Sequence, residues 1–293
     1  MLGSGRVRVL VQGITGREGS YWTERMRGYG TEIVAGVTPG KGGHSVHGIP
    51  VYDSVEATCA NHAVDASVLF VPSAAVKSAA CETIHCGIKR LVILAEHVPV
   101  QDVMEVLAVA SDRGVQVIGP NCPGVVVPGR YFIGIMPAWA KGIFQPGTVG
   151  VVSRSGSLGT LICLNLVRAG LGQSAFMGIG GDPIVGTTFL DALQMLQMDP
   201  GSRAIVMVGE VGGTTEEDAA AFIPKMTKPV VAFIAGKSAP EGKRMGHAGA
   251  IVSGGRGSAG AKTEALRRAG AYIADVPSRI SEILPGLLAG AKG

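Results

Sequence analysis

Short apolar runs alternate with helix-like segments along the chain, and this alternation constrains the fold more than any other feature. Continuous apolar strands separated by helices are typical of a parallel sheet that helices cover on both faces. In the first half we predict strands at Val7–Gln12, Ile33–Val37, Ala66–Val71, Arg90–Ala95 and Val115–Ile118. We predict helices between them at Glu18–Tyr29, Ala74–Cys86 and Gln101–Arg113.

The alternation stops and then resumes in the second half. The stretch from Pro120 to Gly147 is rich in proline and glycine, which favours a crossover or linker. Beyond it we predict strands at Val149–Val152, Ala175–Ile179, Ala204–Val208, Val230–Ile234 and Ala271–Ala274. The helices that we predict there are Leu158–Ala169, Ile184–Met198, Glu216–Met226, Ala259–Ala269 and one from Arg279 onward.

These elements predict an α/β protein with two doubly wound domains. We place a Rossmann-like domain of about five strands over residues 1–122, a linker or crossover over residues 123–146, and a flavodoxin-like domain over residues 147–293. The length of 293 residues and the 46% of hydrophobic residues are ample for two buried cores.

Charge and cysteine content exclude several classes of protein. The net charge of +4 comes without any Lys/Arg run longer than two residues, so we expect no nucleic-acid partner. The five cysteines contain no CxxC pair, which favours a reducing cytoplasm over a disulfide framework. We see no secretory signal and no apolar run of about 18 residues, so we expect no membrane partner.

A glycine-rich turn directly after the first strand predicts a phosphate site. In Gly13-Ile-Thr-Gly16-Arg-Glu-Gly19 the glycines let the backbone approach a phosphate, and the following helix N-terminus stabilises its charge. The spacing differs from the GxGxxG of dinucleotide enzymes, and the second strand ends in Val37-Thr-Pro-Gly-Lys41 without an acid. Lys41 suits a phosphate-rich ligand with a phosphorylated ribose better than NAD. The alternative is a purely structural turn.

His247 is the candidate nucleophile. Small residues flank it in Gly242-Lys-Arg-Met-Gly-His247-Ala-Gly-Ala-Ile and leave the imidazole unhindered. Glu210 closes a predicted strand, and active sites of doubly wound sheets lie at strand ends. A carboxylate bonded to one ring nitrogen fixes the tautomer and leaves the other nitrogen free to attack phosphorus. An isolated histidine is otherwise structural, which is the alternative here.

A third candidate site is Val152-Ser-Arg-Ser-Gly-Ser157, again a strand end that opens a helix. The N–H groups of Ser155, Gly156 and Ser157 are candidates to hold a phosphate carried by His247. Arg154 is a candidate to bind a carboxylate in bidentate fashion. The alternative is an ordinary serine N-cap with a surface arginine. Because His44-Ser-Val-His47 lies in a glycine-rich loop without carboxylates, we predict no metal site.

With these residues in view, the chain resembles the alpha subunit of succinyl-CoA synthetase, also called succinate–CoA ligase. The resemblance runs from about Val7 to the C-terminus. The motifs that carry it are Gly13–Gly19, Val37-Thr-Pro-Gly-Lys-Gly-Gly43, Gly119-Pro-Asn-Cys-Pro-Gly124, Ser153-Arg-Ser-Gly156, Gly178-Ile-Gly-Gly-Asp-Pro183 and Lys243-Arg-Met-Gly-His-Ala-Gly-Ala250.

The resemblance implies a ligand, a reaction and a partner. It implies that the first domain binds CoA through Thr15, Gly16, Arg17, Glu18, Lys41, Ala95 and Glu96. It also implies that nucleotide phosphorylates His247, which Glu210 orients. The acid then takes the phosphoryl group, and the CoA thiol displaces phosphate from the acyl phosphate. An ATP-grasp beta subunit would bind ATP or GTP with Mg²⁺.

The chain departs from the family near the acid substrate. Family members commonly carry a tyrosine soon after the SRSG motif, where this chain has Thr160 or a neighbour. The stretch from Ile135 to Pro146 also lacks the usual histidines. Succinate is the expected acid, with malate, citrate or a sulfonate such as sulfoacetate as alternatives. A CoA-binding protein without catalysis and a nicotinamide dehydrogenase are the alternatives outside this class.

Overall fold

Two mostly parallel sheets of seven strands each organise the chain, of which the computed structural model describes residues 5–238, 246–251 and 257–290. The strands of the first sheet are β1 (Arg8–Gln12), β2 (Glu32–Val37), β3 (Ser45–Val46), β4 (Ile49–Tyr52), β5 (Ala66–Leu69), β6 (Arg90–Ile93) and β7 (Gln116–Ile118). Their order is β3-β4-β2-β1-β5-β6-β7, and only β3 is antiparallel to its neighbour. The parallel strands have the Rossmann order, which reverses between β1 and β5.

Burial explains why the first sheet was predictable. The central strands β1 and β5 are buried along nearly their whole length, because helices cover both faces of the sheet. The helices of this half are α1 (Arg17–Tyr29), α2 (Val55–Asn61), α3 (Val76–His85) and α4 (Val100–Asp112). Short β3 and β4 and helix α2 were missed, since Pro50 and the loop glycines around them hide the strand pattern.

The second sheet has a flavodoxin-like core with an antiparallel edge. Its strands are β8 (Gly124–Val127), β9 (Tyr131–Gly134), β10 (Pro146–Ser153), β11 (Gln173–Gly178), β12 (Ala204–Glu210), β13 (Val230–Ala235) and β14 (Tyr272–Ile273). Their order is β14-β13-β12-β10-β11-β8-β9. The five parallel strands follow the flavodoxin order, which reverses between β10 and β12. The predicted α/β class with a Rossmann-like and a flavodoxin-like part is confirmed.

Strands β8 and β9 lie inside the stretch 123–146 that the sequence predicts as a linker or crossover. They form an antiparallel pair that joins the second sheet through β11. Gly124 and Gly134 face each other at positive φ, and a Cβ on Gly124 would lie 2.0 Å from the carbonyl oxygen of Ile133. Only glycine permits this approach, so the residues that suggested a loop instead close a strand pair. The domain boundaries themselves stay a prediction.

In the second half, the N-cap side chains of Ser155, Thr188 and Ser258 mark where three of the helices begin. The helices of this half are α5 (Gly156–Arg168), α6 (Phe189–Met198), α7 (Thr215–Ala220), α8 (Ala259–Arg268) and α9 (Arg279–Gly290). The prediction started α6 too early, because a capping box between Thr188 and Asp191 sets its start. No helix in the described part of the chain is long and apolar enough to cross a membrane.

The two sheets share one hydrophobic core, and the C-terminal ends of their strands lie close together. On one side, Thr31 exchanges two hydrogen bonds with the backbone of Phe132, at 2.8 and 3.1 Å. At the strand ends, Asn121 after β7 donates to Asp182 after β11, at 2.9 Å. Loops that follow strands of both sheets therefore meet at one place.

Candidate active site

The glycine-rich turn lies at the point where the strand order of the first sheet reverses. Gly13 has φ +79°, and a Cβ there would lie 2.3 Å from the carbonyl oxygen of Phe70, which follows β5. The N-cap of α1 is Gly16, which has no side chain to cap the first N–H groups. These donors therefore remain suited to an anion.

Two cavities open beside this turn. One, of about 400 Å³, is lined by Thr15 and Gly16 together with residues that follow β2 and β5. The other, of about 780 Å³, is lined by Gly16, Arg17, Glu18 and Ala95. The structure thus brings together five of the seven residues that the resemblance assigned to CoA.

Two of the seven residues lie elsewhere, and several lining residues were missed. Lys41 stands on an exposed loop, and the side chain of Glu96 is 66% exposed; neither lines these cavities. Among the missed residues are Phe70 and Ile135. The position of Phe70 after β5, at the switch point of the sheet, was the signal that could have revealed it.

His247 and Glu210 are in direct contact at the corresponding point of the second sheet. His247 Nδ1 lies 2.8 Å from each carboxylate oxygen of Glu210, the last residue of β12. The imidazole is 27% exposed and the Glu210 side chain 11% exposed, so the ring is open on one side. Part of its sequence motif, Lys243–Met245, lies outside the described residues.

The hydrogen bond to Glu210 fixes the state of the ring. An ionised carboxylate only accepts, so Nδ1–H donates and Nε2 is the nitrogen that can act as nucleophile. The pKa of His247 is raised, chiefly by the hydrogen bond that its Nδ1–H donates to Glu210, whereas partial burial acts in the opposite direction. The charge of Arg154 lowers this pKa and that of Asp182 raises it.

Replacing Glu210 by Gln is expected to lower the pKa of His247, because the carboxylate that stabilises the imidazolium is lost. Only the neutral ring can attack phosphorus, so for the phosphorylation of His247 that the resemblance implies, we expect the rate in the parent protein to rise as pH increases through the raised pKa. In the variant this rise should occur at lower pH and reach a lower plateau, since the tautomer is no longer fixed. Phosphorylation rates measured from about pH 5 to about pH 9 check both effects; an unmoved profile would contradict them.

Arg154 has different partners from those that the sequence suggested. Its side chain is only 6% exposed, with Nε 3.3 Å from Glu210 and Nη1 donating to the carbonyl oxygen of Gly212 at 3.0 Å. Nη1 also lies 3.4 Å from Glu216. A guanidinium between two buried carboxylates compensates their charge. In the structure its contacts are with two carboxylates and a carbonyl of the same chain, and the expectation that Arg154 binds a substrate carboxylate stays a prediction.

The other residues of this motif form the first turn of α5. Ser155 is the N-cap and accepts from the backbone N–H of Leu158 at 3.3 Å, which matches the N-cap alternative. Gly156 packs against Pro123, and Ser157 is exposed. Thr160 Oγ1 donates back to the carbonyl oxygen of Gly156, at 2.8 Å. Helix α5 thus begins at the C-terminal end of β10, beside the C-terminal end of β12 that carries Glu210.

A glycine behind the imidazole was missed as a site residue. A Cβ on Gly181 would lie 2.3 Å from Cγ of His247 and 2.5 Å from Nδ1. The ring therefore packs directly against the backbone of Gly181, where any side chain would collide with it. Gly181 lies in the motif Gly178-Ile-Gly-Gly-Asp-Pro183, which was the signal that could have revealed it.

A series of backbone hydrogen bonds links the larger cavity to the loop that carries His247. The carbonyl oxygen of Ala95, which lines the larger cavity, accepts from the N–H of Asn121 at 2.9 Å. The carbonyl of Asn121 accepts from Gly181 at 3.3 Å, and that of Gly181 accepts from Gly249 at 3.1 Å. Gly249 is two residues beyond His247, so both sites share one framework.

Comparison with known proteins identifies two domain families. The CoA binding domain matches residues 5–97, and the CoA-ligase domain matches residues 152–272. The succinate–CoA ligase [ADP-forming] subunit alpha 2 of Archaeoglobus fulgidus is 50% identical over 283 residues, which cover 97% of this chain and 98% of the relative. A subunit of the ADP-forming sulfoacetate–CoA ligase of Acholeplasma sp is 45% identical, over 96% of this chain and 95% of the relative.

A solved structure shows the same arrangement of both halves. The ATP citrate lyase of Methanosaeta concilii, in complex with (3S)-citryl-CoA, superposes with a TM-score of 0.89 and 25% identity over 97% of this chain. This chain spans 50% of the length of that lyase. Since both domain families and full-length relatives agree, the chain belongs to the succinate–CoA ligase alpha-subunit family of acid–CoA ligases.

Proposed function

We propose that this chain is the subunit of an ADP- or GDP-forming acid–CoA ligase that carries a phosphoryl group on His247. The observation that carries the proposal is the contact of His247 Nδ1 with Glu210, at 2.8 Å, on a partly exposed ring. Backbone hydrogen bonds connect the loop that carries this ring to the larger of the two cavities that suit CoA. Glu210 and His247 are the catalytic pair in this proposal.

In the first step, Nε2 of neutral His247 attacks the terminal phosphorus of the nucleotide. An N–P bond forms, the bond to the leaving nucleoside diphosphate oxygen breaks, and positive charge develops on the ring. Glu210 stabilises that charge through the Nδ1–H hydrogen bond. The N–H groups at the start of α5, at Gly156 and Ser157, are candidates to bind the phosphoryl oxygens.

The remaining steps return the histidine to its neutral form. A carboxylate oxygen of the acid attacks phosphorus, the N–P bond breaks, and an acyl phosphate forms. The CoA thiol then attacks the acyl carbonyl, the bond from that carbon to the phosphate oxygen breaks, and the thiol proton passes to the inorganic phosphate that leaves, so that the thioester remains. We assign CoA to the cavities beside Thr15, Gly16, Arg17, Glu18 and Ala95.

The roles of Lys41 and Glu96 in CoA binding stay predictions. Both residues are exposed and lie on loops that follow β2 and β6, at the same edge of the sheet as the glycine-rich turn. Lys41 N–H donates to the carbonyl oxygen of Thr38, at 3.0 Å, and Thr38 lines the smaller cavity. This neighbourhood supports the proposal that Lys41 attracts the phosphates of CoA.

Succinate is the acid that we propose. Relatives named for succinate are 46 to 52% identical to this chain, and those named for sulfoacetate are 44 and 45% identical. Sulfoacetate remains a second candidate, because Thr160 replaces the tyrosine that family members commonly carry near the acid.

We also propose a partner subunit with an ATP-grasp fold that binds ATP or GTP with Mg²⁺. The relatives are named as alpha subunits, which supports a second polypeptide in the complete enzyme. The division into residues 1–122, 123–146 and 147–293 and the cytoplasmic location stay predictions.

Co-expression with an ATP-grasp subunit from the same source tests the proposed reaction. Purified complex should release phosphate only when CoA, nucleotide and acid are all present. Among succinate, malate, citrate and sulfoacetate, succinate should give the highest kcat/KM. A higher value for sulfoacetate would change the substrate but keep the reaction class. No CoA-dependent release with any small acid would contradict the proposal.

A further inference from the structure

A second ion pair lies behind the histidine and takes no part in the steps above. Glu216 in α7 and Lys262 in α8 are both fully buried, and the Lys262 ammonium contacts the Glu216 carboxylate. Lys262 Nζ also donates to the carbonyl oxygen of Gly212, at 2.8 Å. Buried ion pairs contribute little net stability, because desolvation offsets their attraction. A pair in this position therefore points to a role in arranging its neighbours.

Glu216 contacts Glu210, which hydrogen-bonds His247, and Arg154, which lies beside Glu210. Its Oε1 accepts from the backbone N–H of Glu210 at 3.1 Å and lies 3.4 Å from Arg154 Nη1. Arg154 Nε lies 3.3 Å from Glu210 Oε1. The guanidinium is thus shared between two carboxylates. Its distance from Glu210 determines how strongly the Glu210 charge attracts the imidazole.

We propose that Glu216, held in place by Lys262, is a positioning residue for the catalytic pair. Its carboxylate draws the Arg154 guanidinium away from Glu210. Glu210 then keeps its oxygens for Nδ1 of His247. The inference rests on the proposed phosphohistidine function, but Glu216 itself touches neither the imidazole nor a reacting atom.

The proposal predicts opposite effects for two substitutions. Without the Lys262 charge, Arg154 moves toward the uncompensated Glu216, and the pKa of His247 rises. Without both charges, Arg154 turns to Glu210 and competes with the ring, so the pKa of His247 falls. The charged groups that face the ring, Glu210, Arg154 and Asp182, are unchanged in both variants, as is Glu217, whose carboxylate lies 3.7 Å from Lys262 Nζ. A pair that only stabilised the fold would give no such reversal.

NMR titration of the His247 ring in the full chain, without nucleotide, tests the proposal. Lys262→Met should raise its pKa, and the double variant Glu216→Gln/Lys262→Met should lower it. In the assembled enzyme the ratio of phosphorylation rates at low and high pH should change about threefold or more, in opposite directions. The double variant replaces the pair by neutral groups of similar volume and leaves no unpaired charge at position 216 or 262. It should therefore fold even if Lys262→Met alone does not.

The control is Asp218→Asn, which makes the same charge change as Glu216→Gln at an exposed position of α7. It should leave the pKa of His247 unchanged. A folded double variant with an unmoved pKa, or a shift in the same direction as Lys262→Met, would overturn the proposal. The titration does not require phosphorylation of His247, so it tests the role of Glu216 even if the proposed function is wrong. Whether the parent chain accepts phosphate is tested separately, by labelling the parent protein.

Discussion

Replacing His247 by Asn is expected to abolish transfer of phosphate from nucleotide to this chain. The Asn amide has the reach to hydrogen-bond Glu210 in place of Nδ1, but it has no basic nitrogen to attack phosphorus. The reaction would lose its covalent carrier, so labelling and thioester formation should both fall to background. Incubation of the assembled enzyme with nucleotide labelled in the terminal phosphate measures the first, and CoA-dependent phosphate release measures the second.

CoA binding should survive this substitution, because His247 lies outside the two cavities of the first sheet. Calorimetry with CoA therefore separates a loss of chemistry from a loss of fold. A matched control is His85→Asn, at the exposed end of α3, which should leave labelling intact. Label that persists on the His247→Asn variant would place the phosphate acceptor on another residue.

The fold was predictable where strands are buried on both faces. The strands Arg8–Gln12 and Ala204–Glu210 consist mainly of consecutive apolar residues, because each lies near the centre of a sheet covered by helices. Such a short apolar run predicts a buried strand. The edges were harder. Strands β8 and β9 pair through glycines at positive φ, and a glycine-rich stretch has the same composition whether it forms a loop or an edge strand.

The site was predictable where position along a strand carried the signal. Glu210 ends β12 and contacts His247, and the turn after β1 borders both cavities. Contacts between buried charged residues that are far apart in the sequence were not predictable. Lys262 stands in a helix that also carries Arg267 and Arg268, so its sequence looks like a solvated face, yet its ammonium is fully buried. Pairing of that kind depends on tertiary packing, which no local pattern records.

The partners of Arg154 illustrate the same limit. A guanidinium next to serines at a strand end suits a substrate carboxylate and an internal carboxylate equally well. The internal partner is visible only in the structure, where the pairing of β12 with β10 brings Glu210 within 3.3 Å of Arg154 Nε. Strand order is therefore the information that the motif lacked.

Gly181→Ala is expected to cost most of the phosphorylation activity while leaving CoA binding intact. An added Cβ would lie 2.3 Å from Cγ of His247, closer than real side chains approach, so the ring must move. Movement breaks the hydrogen bond from Nδ1 to Glu210, on which tautomer and direction of attack depend. A displacement of about 1 Å can slow a positioned reaction about 100-fold, so we expect a loss of that order.

Single-turnover labelling of the assembled enzyme measures this loss, and overpacking should also lower the free energy of unfolding by about 1–3 kcal/mol. Gly28→Ala in α1 is the matched control, because a Cβ there meets no atom within 4 Å. It should leave labelling unchanged and stabilise the chain by about 0.5–1 kcal/mol. If the Gly181→Ala variant were phosphorylated within a few-fold of the parent rate, the imidazole would have room that this geometry denies it. The contact between Glu210 and His247 would then not be what sets the rate.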